Sequence, residues 1–98
     1  MNARMLPLPS STVSVIREIA GRHGVRDVRL FGSHARGQAT SKSDLDLLIR
    51  LEPGHGFRDF MDFCEELEQA LETKVDVVPE DGLSPFLRDR VLAEAVPL

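Results

Sequence analysis

Tryptophan and tyrosine are absent from this 98-residue chain, and cysteine occurs once. A lone cysteine excludes an internal disulfide framework and fits a reducing cytoplasm. Without Trp or Tyr, the core has to be assembled from Leu, Val, Ile and five Phe. No apolar run approaches the ~20 residues that a membrane-spanning helix needs. The N-terminus lacks the apolar stretch of a secretory signal, so neither a membrane nor export is expected. Positive charge is also scarce, with 12 Lys and Arg against 16 Asp and Glu and a net charge of −4. Polynucleotide backbones are gripped by clustered cations that release counterions, so a long nucleic acid is not an expected partner. The length suits one domain spanning residues 1–98, with residues 1–9 as a loose leader and no room for a second substrate-binding domain.

What the chain does have is concentrated in residues Leu30 to Ile49, LFGSHARGQATSKSDLDLLI. An apolar run ends in Gly32-Ser33, a basic polar loop follows through Arg36, Gly37 and Lys42, and the chain enters Asp44-Leu45-Asp46-Leu47-Leu48-Ile49. Alternation of period two predicts a strand, on which Asp44 and Asp46 share a face with Cα atoms roughly 6.5–7 Å apart. Two carboxylates so close repel unless a cation sits between them. An oxygen-only donor set suits Mg²⁺ far better than Zn²⁺. Gly32 permits close approach of the backbone to a ligand, the amides and hydroxyl around Ser33 can bind phosphate oxygens, and Arg36 adds a planar cation suited to phosphate. Metal carboxylates beside a phosphate cradle imply a metal-bound nucleotide.

Gly32-Ser33, ten residues, then Asp44-x-Asp46 resembles the defining motif of the DNA polymerase β-like nucleotidyltransferase superfamily. At this length the chain looks like a minimal nucleotidyltransferase, the type often paired with a HEPN-domain protein as antitoxin to toxin. The resemblance implies an α+β (α/β) nucleotidyltransferase fold, a small mixed β-sheet with helices packed on one face and an open active-site face.

Taken in order, Ser10 and Ser11 are good N-cap residues, and Val13, Ile16, Ile19 and Ala20 recur at helical spacing. A first helix over about Ser11 to His23 is predicted, stopped by Gly24. Val25 to Phe31 reads as the first strand, His34 to Gly37 as a short helical turn, and Asp44 to Leu51 as the second strand. On that strand Leu45, Leu47, Ile49 and Leu51 form one face, Asp44, Asp46, Leu48 and Arg50 the other. Helices should cover the first. Glu52 to Gly56 is a turn by composition. Phe57 to Leu71 reads as a helix with Phe60, Phe63, Cys64, Leu67 and Leu71 on its core stripe and Glu65, Glu66, Glu68 and Glu72 solvated. Lys74 to Val78 is the third strand and Glu80 to Gly82 a loop. Ser84-Pro85 opens a last helix to about Ala95, with Leu87, Val91 and Ala95 on one side. The apolar end Ala95 to Leu98 has no evident core role.

Connectivity adds one more residue. The second strand runs away from its carboxylates and the following helix brings the chain back, so the third strand should lie parallel to the second. That puts Asp76 beside Asp44 and Asp46, and in the family a third carboxylate also arrives on a later strand. Asp27 and Asp59 fit that geometry less well.

The resemblance then implies roles. Asp44, Asp46 and Asp76 are the expected catalytic and metal-binding residues, holding two Mg²⁺ ions of the kind that stabilise in-line displacement. Gly32, Ser33 and Arg36 are expected to bind the phosphates of the donor, ATP by family likeness. The expected activity is AMP transfer to a hydroxyl of a HEPN partner, a tyrosine above all. Two alternatives stay open: a non-catalytic module that masks its partner, and a small-molecule nucleotidyltransferase.

Overall fold

The structure is a computed structural model that describes residues 8–40 and 42–98. Most of the loose leader, residues 1–7, lies outside them. Leu8 packs against the core, and the Pro9 carbonyl accepts the Val13 N–H.

Seven regular elements and two short ones follow in order: α1 Ser10–Arg22, β1 Val25–Phe31, α2 Gly32–Ala35, β2 Leu45–Leu51, α3 Phe57–Leu71, β3 Val75–Pro79, a 3₁₀ turn Glu80–Gly82, α4 Pro85–Glu94 and β4 Val96–Pro97. The strands form one mixed sheet in the order β3-β2-β1-β4. β2 pairs antiparallel with β1 and parallel with β3. The mixed α+β fold expected from the sequence is the fold observed.

Burial follows the expected face of β2. Leu45, Leu47 and Ile49 join Leu30 and Val25 of β1 and Val75 of β3 in one cluster with Ile16, Ile19, Phe63 and Leu67 of α1 and α3. The two helices therefore cover this side of the sheet. α3 spans the residues its sequence predicts, and the Asp59 carboxylate accepts the Gly56 N–H at 3.0 Å and closes its first turn. The opposite face is partly covered by α4. Arg29 alternates with Leu30 and so faces away from the core. Its guanidinium meets Glu80 at 2.6 Å, and Glu80 in turn holds Arg88 near the start of α4 at 3.1 Å. Leu48 and Val91 are buried outside the main cluster.

Several local expectations are corrected. Ser10 and Ser11 do not cap α1: the N-cap is Pro9, with no side-chain hydrogen bond, and both serines are already helical. α2 starts at Gly32, not His34, and β2 at Leu45, not Asp44. Glu66 and Glu68 are not merely solvated. Glu66 bonds Arg22 and His23 across the α1–α3 seam, and Glu68 accepts the Val75 N–H at 2.9 Å. Ser84 does cap α4, accepting the Phe86 N–H at 3.2 Å, but Leu87 is about half exposed, so the apolar side of α4 is narrower than its spacing suggests. The apolar C-terminus has a role after all. Val96 and Pro97 pair with Leu30 and Arg29, and the Leu98 N–H donates to the Val28 carbonyl at 3.0 Å. This pairing covers the outer edge of β1, which would otherwise expose unpaired backbone groups.

Candidate active site

The site forms where β1 ends, β2 begins and β3 begins. Antiparallel pairing sets Phe31 opposite Asp46, and parallel pairing sets Asp46 opposite Asp76. Register partners on adjacent strands point to the same side of a sheet, about 4.8 Å apart across the ladder. Asp44 stands just before β2, where the Leu45 N–H donates to the Lys74 carbonyl at 3.0 Å and the Lys74 ammonium lies 3.9 Å from the Asp44 carboxylate. Asp76 is exposed, while Asp44 and Asp46 are half-buried. The sheet is thus open to solvent around Asp76.

The other two acids act on Asp46 electrostatically. Asp46 is held above its ordinary value of 3.8, first by burial, then by the charges of Asp76 and Asp44, and this is partly offset by His34 and Arg36. Among the described residues, no three His, Cys, Asp or Glu side chains stand close enough to enclose a metal ion as they are oriented. The donor chemistry nonetheless fits one: three carboxylates, no nitrogen or sulfur, and mutual repulsion that a hard divalent cation would relieve.

Gly32 is in direct contact with this group. Its φ is +76°, and a Cβ there would collide with the Asp46 carboxylate. Both the left-handed backbone and the close approach require glycine. The turn is then pinned by its own backbone, with Arg36 N–H on the Gly32 carbonyl at 3.1 Å and Gln38 N–H on the Ser33 carbonyl at 2.9 Å. Arg36 is thereby brought round beside Gly32, and its Nε donates to Gln38 at 3.1 Å. All six residues singled out in the sequence converge on this end of the sheet.

The competitors do not. Asp27 sits in a bulge of β1 with φ +52°, within 4 Å of Arg26 and Arg50, and Asp59 caps α3. A hollow of about 480 Å³ lined by Arg50, His55, Glu80 and Arg88 lies at the far end of β2 from Asp46.

One residue of the site was missed by sequence reasoning. Glu94, the last residue of α4, accepts the Gly32 N–H at 2.9 Å and faces the Arg36 guanidinium with both oxygens at 3.2 Å. In the sequence it is an ordinary helical glutamate, and no local pattern points to it.

The profile of the nucleotidyltransferase domain family matches residues 13–98, and thus covers every residue of this site. The chain belongs to that family. A Methanocaldococcus jannaschii protein provisionally named a protein adenylyltransferase is 39% identical over 75 residues, covering 76% of this chain and 81% of its own length. The protein adenylyltransferase MntA of Thermococcus cleftensis is 36% identical over 80 residues, covering 82% and 81%. Among solved structures, one provisionally described as a minimal nucleotidyltransferase matches with a TM-score of 0.80 and 40% identity, covering 99% of this chain and all of that one. A tri-AMPylated Shewanella oneidensis HEPN toxin in complex with an MNT antitoxin matches with a TM-score of 0.68 and 18% identity, covering 90% and 69%; that likeness concerns the fold alone. The sequence-based assignment to the minimal nucleotidyltransferases is borne out, and with it the assignment as an enzyme.

Proposed function

We propose that this nucleotidyltransferase transfers AMP from ATP to a tyrosine hydroxyl of a HEPN-domain toxin and so acts as its antitoxin. The observation that carries the chemistry is the register of Asp46 with Asp76, beside a glycine packed against the Asp46 carboxylate. The names of the relatives, protein adenylyltransferases, support a protein acceptor, and the fold shared with an antitoxin bound to an AMPylated HEPN toxin supports its class.

In this reading the acceptor oxygen attacks the α-phosphorus and forms a new P–O bond. The bond to the bridging oxygen of the β-phosphate breaks, and pyrophosphate leaves with the electron pair. Asp76, exposed at the site's open side, takes up the hydroxyl proton and passes it to water. Gly32 and Ser33 place the β- and γ-phosphates through the backbone N–H and the hydroxyl, and Arg36 balances their charge. Asp44, Asp46 and Asp76 would hold Mg²⁺, which when bound supplies charge stabilisation to the phosphoryl oxygens. Burial first, and then the charges of Asp76 and Asp44, raise the affinity of Asp46 for a proton, and a divalent cation would relieve the second of these causes.

Incubation of the purified HEPN partner with ATP, Mg²⁺ and this protein should raise the partner's mass by one or more AMP units. Asp44→Ala with Asp46→Ala should abolish the shift and the protection of cells. A double variant that still protects, with no shift in either case, would overturn transfer in favour of masking. A mass shift on an antibiotic or an RNA 3′ end instead would move the acceptor to another class.

A further inference from the structure

The groups assigned to the triphosphate are already engaged by an anion of the protein itself. Glu94 accepts the Gly32 N–H at 2.9 Å, and both of its oxygens lie 3.2 Å from Arg36 Nη1. A backbone amide and a guanidinium on one pair of oxygens is also how a phosphate would be held. The carboxylate is three-quarters shielded from solvent and belongs to neither the metal-facing acids nor the core. Gly32 has a single N–H to donate, and a second anion beside Glu94 would meet its charge at short range. Glu94 and a phosphate oxygen therefore exclude each other at Gly32.

From this we infer that Glu94 is a built-in competitor of the nucleotide, occupying the phosphate cradle until the triphosphate displaces it. The inference rests on the function proposed above and adds a determinant of nucleotide affinity to the same site. The surrounding structure defines how displacement happens. Glu94 lies between two anchors on β1: α4 is tied near its start through Arg88, Glu80 and Arg29, and β4 is paired with Leu30 and Arg29 immediately afterwards. The backbone at Glu94 is consequently restrained from both sides, and the exchange is confined to its side chain swinging off Gly32 and Arg36 to solvent. A cradle filled in this way discriminates against weak monoanionic ligands, because only a ligand with several charged oxygens and a bound cation repays the lost Glu94 contacts.

The test is calorimetric titration of the full chain with AMP-PNP and Mg²⁺ at one pH, comparing the parent with Glu94→Gln, Arg36→Ala and the double variant. Glu94→Gln should bind about tenfold tighter. Arg36→Ala should weaken binding more in the Glu94→Gln background than in the parent, where part of the Arg36 contribution is spent on releasing Glu94. The Gly32 amide resonance should report the same exchange, shifting on Glu94→Gln alone and shifting less on later addition of nucleotide. If Glu94→Gln disturbs folding, Glu94→Asp, one methylene shorter, should still bind tighter than the parent. Equal or weaker binding by folded Glu94→Gln, with AMP transfer by the parent intact, would overturn the competitor role and leave the proposed function standing. No binding of AMP-PNP by either folded protein at millimolar concentration would overturn both.

Discussion

Asp46 on β2 and Asp76 on β3 are register partners in a parallel pair, so their carboxylates share one face of the sheet at the end where Gly32 closes β1. Like charges so placed oppose folding of the metal-free protein, and the same placement suits a cation. Asp46→Asn should therefore abolish AMP transfer while leaving the fold intact, with a melting temperature in EDTA equal to the parent's or above it. Thermal melts with and without Mg²⁺, beside a transfer assay, check both halves. An Asn variant with parental turnover would remove Asp46 from the reaction.

Gly32→Ala combines two penalties. The backbone there has φ +76°, and the new methyl group would overlap the Asp46 carboxylate. A left-handed alanine costs roughly 1–2 kcal/mol, and displacement of Asp46 adds to this. Urea unfolding should register the loss of stability, and nucleotide binding should fall further than stability alone explains. Gly37→Ala is the control: it is also left-handed at φ +71° but has nothing within contact distance, so it should cost stability and spare binding.

Ser33→Ala and Arg36→Ala should weaken triphosphate binding to different degrees. One neutral hydrogen bond is worth about 1 kcal/mol. A charge-assisted contact is worth roughly twice that, so Arg36→Ala should be the more damaging. Titration with AMP-PNP ranks them. Parental affinity in both would reduce the segment after β1 to a simple turn.

Glu80 links β1 to α4 through Arg29 and Arg88, and its hydrogen bond to Arg29, aided by the charges of Arg29, Arg50 and Arg88, holds it below its ordinary value of 4.5. A carboxylate with a lowered folded value binds fewer protons folded than unfolded. Its stabilisation is complete above pH 4.5 and is lost as pH falls through the lowered value. Glu80→Gln should cost about 1.5 kcal/mol near neutrality, the low end of the scale for hydrogen bonds to a charged group, and the gap to the parent should close in acid. Chemical denaturation of both proteins between neutral pH and pH 3 measures the convergence.

Much of this molecule is local in origin and was therefore legible in its residues. Alternation in Leu45 to Ile49 and the helical stripe of Phe63 and Leu67 set the core face, because side-chain period depends only on backbone conformation. Gly32, Ser33, Asp44 and Asp46 lie within one short stretch, so their meeting needs little more than a turn and a strand. Asp76 required connectivity as well: a helix between two strands returns the chain to the same end and makes the strands parallel. Only the tertiary structure decided the rest. Val96 and Pro97 became a strand because β1 had a free edge, a property of the assembled sheet and not of those two residues. Glu66 and Glu68 left the solvated face because His23 and the Val75 N–H came to meet them. Glu94 entered the site because α4 is fastened across the sheet through Arg88, Glu80 and Arg29, a contact between segments far apart in the chain that no periodicity encodes.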